Sequence, residues 1–415
     1  MKKLPFTHDI SACFDTKIGD AGVSANDFDE VLARISPIIS ALKEEKLPLL
    51  RVPYDADDIA DIEKIAKDIR KQFSHLVILG TGGSSLNPKA LTGIINQLDI
   101  NILYVDNVDP ITIDELLGSI PLDEAAVLAI SKSGGTLETL AQLLAFYGAY
   151  KQSDLNDLGR HFYIISDPGS NPIRSIAKGI GATLIDHNAN IGGRYATFTN
   201  VGLLPASIAG LDIKDFRSGG QAVIDNLFNS KSPECAKGAA FSCLMMDKGC
   251  NVNVLMPYID QLFDFSLWYK QIWAESLGKN GKGNTPVMAM GTIDQHSQLQ
   301  LYLDGPRDKY FSLITMESKN TGSVLYNDFG ISHPVLDAID GKKMGDVMAA
   351  EQEATASTLI NNNCPIRQFH LKTLDGFTLG ALMMHFSIET IITARLMGVN
   401  PFDQPSVEEG KKKAM

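Results

Sequence analysis

The chain has 415 residues and a formal net charge of −12 at pH 7, with 44% hydrophobic and 21% charged residues. This length exceeds one comfortable hydrophobic core, so two domains are expected. The negative charge argues against nucleic acid or an anionic membrane as the main partner, and the five cysteines, which lack CxxC spacing, indicate neither a zinc site nor a disulfide framework.

Residues 1–48 are predicted to be an N-terminal helical extension. The segment "ANDFDEVLARISPIISALKEE" spaces its apolar residues as a helix does, and Pro37 predicts an interruption of that helix. The start "MKKLPFTHDI" has no apolar core of a signal peptide, and nowhere do about 18 uncharged apolar residues follow one another. We therefore expect a cytoplasmic protein with no membrane partner.

Residues 49–210 alternate between helical and strand patterns. The short apolar segments "HLVILG", "NILYVDN", "AAVLAI" and "FYIISD" are separated by segments with helical spacing. "AAVLAI" is continuously apolar, as expected for a strand buried on both faces of a parallel sheet. The alternation predicts a first α/β domain, built as a doubly wound parallel sheet.

Residues 211–385 are predicted to form a second α/β domain of the same kind. Its predicted strands are "NVNVLMP", "VMAMGT" and "YFSLITM", and helical patterns separate them. Residues 386–415 are predicted to be a C-terminal helix and tail, because "NPFDQPSVEEGKKKAM" carries two prolines and a charged end.

The stretch "SKSGGTLET" follows the buried strand "AAVLAI" and precedes a helical pattern, so it lies at a helix N-terminus. Unpaired backbone N–H groups, the helix dipole and serine and threonine hydroxyls favour a bound anion there, most simply a phosphate. In the alternative interpretation Thr136 only caps the helix, while Ser131 and Ser133 fill a turn. This stretch alone does not choose between the two.

A second glycine-rich loop, "GTGGSS", follows the strand "VIL". It partly matches a dinucleotide fingerprint: Gly80 and Gly82 fit, Ser85 stands in place of the third glycine, and Asp106 could bind a ribose. One phosphate shared between this loop and residues 131–139, with Ser84 as a donor, is an equally economical interpretation.

Four further segments carry candidate catalytic side chains. "GGRYATFTNVGLLP" presents Arg194 after two glycines, and "YKQIWAESLGKNGKG" places Gln271 and Glu275 on one face of a helix. Apolar neighbours put Glu275 at the edge of a buried surface, where it could act as a general base. "GTIDQHSQLQ" carries His296, although a lone histidine is more often structural. In "EEGKKKAM", residue patterns alone cannot choose among Lys411 and the two lysines after it.

Together these segments resemble the glucose-6-phosphate isomerase family from about residue 75 to the end. The resemblance rests on "GTGGSS", "SKSGGTLET", "GGRYATFTNVGLLP", "QIWAESLGKNGKG", "GTIDQHSQLQ" and "NPFDQPSVEEGKK", which occur in the family's order. It implies two sugar-isomerase αβα sandwich domains with mostly parallel sheets. It also implies a hexose 6-phosphate site formed by Gly82, Gly83, Ser84, Ser131, Lys132, Ser133 and Thr136.

The resemblance also implies roles in aldose–ketose isomerisation of glucose 6-phosphate and fructose 6-phosphate. Glu275 would be the base that moves a proton between C1 and C2, with Gln271 beside it, and Arg194 would stabilise the cis-enediolate. His296, helped by Lys411, would open the sugar ring, and Gln404 would close over the phosphate. Neither a metal nor a cofactor is implied. The family forms homodimers in which His296 comes from the neighbouring chain.

Two other functions remain open at this point. A sugar-phosphate-binding regulator could keep the fold without catalysis, but it would need only the hydroxyl loops and not the four proposed catalytic residues. An NAD-dependent dehydrogenase would use "GTGG" and Asp106.

Overall fold

The computed structural model describes residues 3–96 and 99–407. The strands are β1 Phe6–Asp9, β2 His75–Leu79, β3 Asn101–Val105, β4 Ala125–Ile130, β5 Phe162–Ser166, β6 Thr183–Asp186, β7 Val252–Pro257, β8 Thr285–Met288, β9 Lys309–Met316 and β10 Ile366–Leu371. The helices are α1 Asp15–Ile18, α2 Ala25–Glu45, α3 Pro48–Arg51, α4 Ile59–Gln72, α5 Gly83–Thr92, α6 Pro110–Ser119, α7 Leu137–Gln152, α8 Pro172–Ile180, α9 Asn200–Ile208, α10 Ile213–Asn229, α11 Glu234–Asp247, α12 Phe263–Leu277, α13 Ile293–Ser297, α14 Leu299–Asp304, α15 Pro334–Ile339, α16 Met344–Asn361 and α17 Gly376–Leu396.

The first sheet is parallel throughout and has the strand order β3-β2-β4-β5-β6. Every residue of β4 is buried, which explains its unbroken apolar sequence. The four strands predicted for this region are confirmed. The edge strand β6 was not predicted, because "TLID" is short and its side chains are only partly buried.

The second sheet has the order β1-β10-β9-β7-β8. Four of its strands run parallel, and β1 pairs antiparallel with β10, with Phe6 opposite Leu371. The predicted strands β7, β8 and β9 are confirmed, whereas β1 and β10 were not identified from the sequence. The N-terminal segment therefore contributes a strand to the second sheet as well as its helix α2.

Helices cover both faces of each sheet, which confirms the predicted α/β sandwich architecture. One core lies between the sheets and contains side chains from α4, α5 and α9 on the first side and from α10, α12 and α17 on the second. A smaller core lies between the first sheet and α6, α7 and α8. Another lies between the second sheet and α14 and α16.

Helix α2 is continuous through Pro37, so the predicted interruption is wrong. Proline cannot donate a hydrogen bond to the carbonyl four residues earlier, which belongs to Ala33. Both residues are exposed, so water can satisfy that carbonyl. The helix begins at a cap in which the Ser24 hydroxyl accepts a hydrogen bond from the Asp27 N–H at 3.0 Å.

Helix α17 is long and apolar enough to span a membrane, but 94% of its most apolar window is buried inside the protein. The core helix of a soluble protein has the same composition. Within this core, the buried Glu389 carboxylate binds the Arg367 guanidinium at 2.8 Å and lies 3.1 Å from His385 Nε2. Because all three side chains are fully buried, removing one partner would leave an uncompensated polar or charged group.

His8 on β1 predicts a pH-dependent stability. Its ring is stacked on Phe369, and its Nδ1 lies 3.4 Å from a Glu234 carboxylate oxygen. Burial lowers the pKa of His8 from 6.5 to about 4. Between these values the unfolded chain takes up a proton that the folded chain does not, so the free energy of unfolding decreases as the pH falls.

We expect this effect to reach about 3 kcal/mol near pH 4. Denaturant unfolding at pH 7 and pH 4.5 should show a smaller pH dependence in His8→Phe than in the wild type. If the free energy of unfolding changes equally with pH in the two proteins, the assignment of this pH dependence to His8 is contradicted.

Candidate active site

Both phosphate-loop candidates lie at the carboxyl edge of the first sheet. The strand order places β2 beside β4, with the chain winding away in opposite directions from these two strands. Ligands of open α/β sheets bind at such a switch point. The two loops start next to each other, because a Cβ added to Gly80 at the end of β2 would lie 3.0 Å from the carbonyl oxygen of Ile130 at the end of β4.

The loop after β4 leaves its hydroxyls available to a ligand. Thr136 precedes α7, yet its side chain makes no capping hydrogen bond. Ser131 Oγ instead donates to Thr136 Oγ1 at 3.1 Å, so the threonine can still donate its own proton. Gly134 has a φ of +66°, and a Cβ there would lie 2.2 Å from the Asn171 side chain, so this turn requires glycine.

The loop after β2 begins α5, with Gly82 at the cap position and a φ of +56°. Ser84 lies in the first turn of α5 and is partly buried. Asp106, the candidate ribose ligand of a dehydrogenase, already binds Lys89 at 2.6 Å and lies 3.3 Å from the Ser85 hydroxyl. These contacts favour the phosphate interpretation of the loop over the dinucleotide one.

Arg194 is buried, with 4% of its surface exposed, and all three of its nitrogens donate hydrogen bonds. The acceptors are Ser276 Oγ at 2.9 Å, Glu275 Oε2 at 3.1 Å, Gln404 Oε1 at 2.9 Å, the Pro401 carbonyl at 2.6 Å and the Asp403 carbonyl at 3.0 Å. A guanidinium held by this many groups has a fixed position and direction. Such a cation can stabilise negative charge without reorganising.

Glu275 and Gln271 lie on one face of α12, as their spacing predicted. Gln271 Nε2 donates to Glu275 Oε1 at 2.9 Å, while Glu275 Oε2 accepts from Arg194. The Glu275 side chain is 33% exposed, so the predicted position at the edge of a buried surface is confirmed. A carboxylate held at both oxygens but open on one side can reach a substrate.

The candidate base Glu275 and the candidate phosphate loop after β2 are neighbours. A Cβ added to Gly82 would lie 2.9 Å from Gln271 Nε2. Since Gln271 binds Glu275, a ligand whose phosphate lies on the loops would extend toward this carboxylate. The structure therefore brings together the first glycine loop, Gln271, Glu275 and Arg194.

Hydrogen bonds and an ion pair hold the segment after α17 against the same site. Lys279 Nζ donates to the Ser276 and Asn400 carbonyls and lies 3.2 Å from an Asp403 carboxylate oxygen, while Lys282 donates to the Met397 carbonyl. Gln404 thus lies at the Arg194 end of the site, and its expected position over the phosphate stays a prediction. Lys411 lies outside the described residues.

His296 lies on a different element from the residues of this group. It is exposed on the short helix α13, and in the described part of the chain no hydrogen bond joins it to Glu275 or Arg194. Its neighbour Gln295 anchors α13, since Gln295 accepts from Tyr258 at 2.8 Å and donates to Glu351 at 2.6 Å.

Sequence reasoning missed the roles of Ser276 and Lys279. Both lie in the block "ESLGK", one directly after the base and the other four residues after it. The only available signal was their place in that block, because nothing local indicates that Ser276 accepts from Arg194 or that Lys279 binds the C-terminal segment. Over residues 3–96 and 99–407, no group of three or more His, Cys, Asp or Glu side chains could hold a metal ion.

Comparisons with known proteins agree with this geometry. The family model described as phosphoglucose isomerase matches residues 64–415. A protein of Methanococcus maripaludis named probable glucose-6-phosphate isomerase is 34% identical over 422 residues, covering 99% of this chain and 93% of the relative. A glucose-6-phosphate isomerase of Carboxydothermus hydrogenoformans is 33% identical, covering 93% of this chain and 89% of the relative.

Solved structures show the same fold. A hypothetical protein of Thermus thermophilus matches with a TM-score of 0.86 and 28% identity, over 99% of this chain and 98% of that one. A glucose-6-phosphate isomerase of Chlamydia trachomatis matches with a TM-score of 0.80 and 21% identity, over 100% of this chain and 88% of that one. The fold, the match over most of the length and the relatives agree, and the chain belongs to the phosphoglucose isomerase family.

Proposed function

We infer that the protein catalyses the reversible isomerisation of D-glucose 6-phosphate and D-fructose 6-phosphate, a step of glycolysis and gluconeogenesis. The observation that carries this inference is the group formed by Arg194, Glu275 and Gln271 beside two hydroxyl-rich loops at a sheet switch point. A protein that only bound sugar phosphates would need the loops but not a carboxylate held by a guanidinium.

The two loops are proposed to bind the phosphate. Ser84, Ser131, Ser133 and Thr136 would donate hydrogen bonds, with Lys132 beside them, and the first turn of α7 supplies backbone N–H groups that have no partner within the helix. These groups do not change during the reaction. Phosphate binding would therefore fix the position of the reacting carbons without itself lowering the chemical barrier.

Glu275 is proposed to move the proton. In the aldose-to-ketose direction its carboxylate takes the C2 proton, and the carbonyl electrons move to O1 to form the C1–C2 enediolate. A proton then passes from O2 to O1, and the C2 carbonyl forms as the same carboxyl group returns its proton to C1. In the reverse direction it takes a C1 proton and returns it to C2. Negative charge develops on the enediolate oxygens, and Arg194 lies next to the base to stabilise that charge.

Ring opening is assigned to His296 of a neighbouring chain in a homodimer, with Lys411 assisting. Two observations support this assignment: His296 is exposed, and the same chain exposes several large apolar side chains. Tyr326, Phe329, Ile331 and Val335 are 74%, 76%, 57% and 62% exposed, and Ile293 on α13 is 65% exposed. Four of these side chains lie in one segment, residues 326–335, and exposed apolar side chains that lie together are typical of an interface.

Complementation tests the shared site. Glu275→Gln and His296→Ala should each be inactive alone. After subunit exchange, half of the dimers combine one chain of each kind, and each of these has one intact site. Mixed variants should regain about a quarter of the wild-type activity, and light scattering should show dimers. An active monomer, or no recovery despite exchange, would contradict the shared site.

Thr136→Val tests the phosphate loop. We expect the KM for fructose 6-phosphate to rise about tenfold with little change in kcat, because a hydrogen bond to a charged group is lost equally from substrate and transition state. Thr358→Val is the control, because Thr358 is also partly buried but lies on α16 against the second sheet, so KM should stay unchanged. Equal effects of the two variants would assign Thr136 to helix stability.

The proposed function is tested by following glucose 6-phosphate formation from fructose 6-phosphate in a coupled dehydrogenase assay, with and without EDTA. Turnover in both conditions is expected. Protection against thermal unfolding by fructose 6-phosphate without turnover would favour a regulator instead. Hexose phosphates are charged and cross bilayers poorly, so we propose that the enzyme works in the cytoplasm.

A further inference from the structure

Asn87 on α5 is completely buried, and all of its hydrogen-bonding capacity is used. Its Nδ2 donates to the Gly83 carbonyl at 2.5 Å and to the Gly193 carbonyl at 2.7 Å. Its Oδ1 accepts from Thr197 Oγ1 at 2.7 Å and from Trp268 Nε1 at 3.1 Å. A primary amide has two N–H donors and an oxygen that accepts two bonds, so none remains free.

These partners belong to separate parts of the active site. Gly83 is in the first phosphate loop, and Gly193 directly precedes Arg194. Trp268 is on α12, the helix that carries the proposed base. The Asn87 side chain therefore hydrogen-bonds to the proposed phosphate loop, to the turn that precedes Arg194 and to α12, the helix that carries Glu275.

The loop and the turn touch backbone to backbone. A Cβ added to Gly83 would lie 2.4 Å from the Gly193 carbonyl oxygen and 2.9 Å from the Arg194 nitrogen. The Gly83 and Gly193 carbonyl oxygens both lie within hydrogen-bond distance of Asn87 Nδ2, and two carbonyl dipoles that converge in this way repel each other unless donors separate them. The Asn87 amide supplies both donors.

We propose that Asn87 is a positioning residue for the isomerisation: its amide fixes the Gly193–Arg194 turn against the first phosphate loop and α12. This proposal rests on the proposed roles of Arg194 and Glu275. Asn87 acts only through its neighbours. Because the guanidinium stabilises charge that exists only in the transition state, loosening the turn lowers kcat more than it raises KM.

Asn87→Ala is the principal test, and Asn284→Ala is its matched control. Asn284 is also buried, and its Oδ1 accepts from Trp273 Nε1 at 2.8 Å on the same helix α12, but it has no hydrogen bond to the Gly193 turn. We expect Asn87→Ala to lower kcat at least about tenfold with KM within about threefold. Asn284→Ala should lower the melting temperature while kcat stays within about twofold.

A second readout separates positioning from a general loss of stability. A five-carbon phosphosugar hydroxamate resembles the planar enediolate, and calorimetry can measure its affinity for each variant. Asn87→Ala should weaken the hydroxamate by a factor close to its loss in kcat/KM, because both report transition-state binding. If Asn87→Ala does not fold, Asn87→Ser provides the same comparison with a smaller cavity.

The proposal is overturned if the Asn87 variants keep wild-type kcat, or if Asn284→Ala at the same melting temperature loses as much kcat. Failure of the proposed function looks different, because then the wild-type protein itself would show no turnover of fructose 6-phosphate. If the wild type is active and the Asn87 variants keep its kcat, only the positioning role of Asn87 is contradicted.

Discussion

Glu275→Gln should lower kcat by at least about 10³-fold, while fructose 6-phosphate still binds within about threefold of its wild-type affinity. The amide keeps the shape of the carboxylate but cannot accept the C2 proton. The new amide oxygen can still accept from Arg194, and the Gln271 amide can flip so that its unpartnered Oε1 accepts from the new NH₂ group. The proposed phosphate loops lie on other elements of the fold. Coupled kinetics would measure kcat, and calorimetry would measure the affinity.

The control for this variant is Glu45→Gln. Glu45 is also paired with an arginine, Arg395, but the pair lies on the surface at the end of α2. We expect wild-type activity from it, since exposed ion pairs contribute little to stability. Simultaneous loss of turnover and binding in Glu275→Gln would instead assign Glu275 to maintaining the structure.

Arg194→Lys should lower kcat/KM by about 10²-fold or more, although the positive charge is retained. The lysine ammonium group has three N–H donors on a shorter side chain, so it cannot donate to all five groups that accept hydrogen bonds from the Arg194 guanidinium. The carbonyls of Pro401 and Asp403 would lose a donor, which should also lower the melting temperature. Kinetics and thermal unfolding measure the two effects separately.

Arg217→Lys is the corresponding control. Arg217 is equally buried and binds both carboxylate oxygens of Asp58, at 2.6 and 2.7 Å, outside the proposed site. It should lose stability while the folded protein keeps kcat/KM within about threefold. If both lysine variants lose activity in proportion to stability, the role of Arg194 in catalysis is contradicted.

The sequence predicted those elements whose pattern is local. Buried strands such as β4 appear as unbroken apolar runs, and the limits of α2 follow from its apolar spacing. The edge strands β1 and β6 escaped prediction because partly exposed strands have no such run, and pairing of β1 with β10 joins residues about 360 positions apart. Pro37 misled the prediction because an exposed helix face can leave one carbonyl to water.

The candidate site shows the same limit. Motif order identified Arg194, Gln271 and Glu275, and the structure brings these three together. The order of the motifs could not indicate that Asn87 connects three segments, because hydrogen bonds between distant parts of the chain depend on how the elements pack. For the same reason the proposed contribution of His296 from a second chain could not be worked out from local sequence patterns.

Proton transfer to solvent tests the central claim most directly. Fructose 6-phosphate would be incubated with the enzyme in D₂O, and the recovered glucose 6-phosphate examined by proton NMR. Because the proposed base Glu275 is partly exposed, the proton that it would carry between C1 and C2 can exchange with solvent, and deuterium should accumulate at C2 over many turnovers. Equilibration of the two sugars with no deuterium at C2 would show a direct hydride shift and contradict the enediolate mechanism.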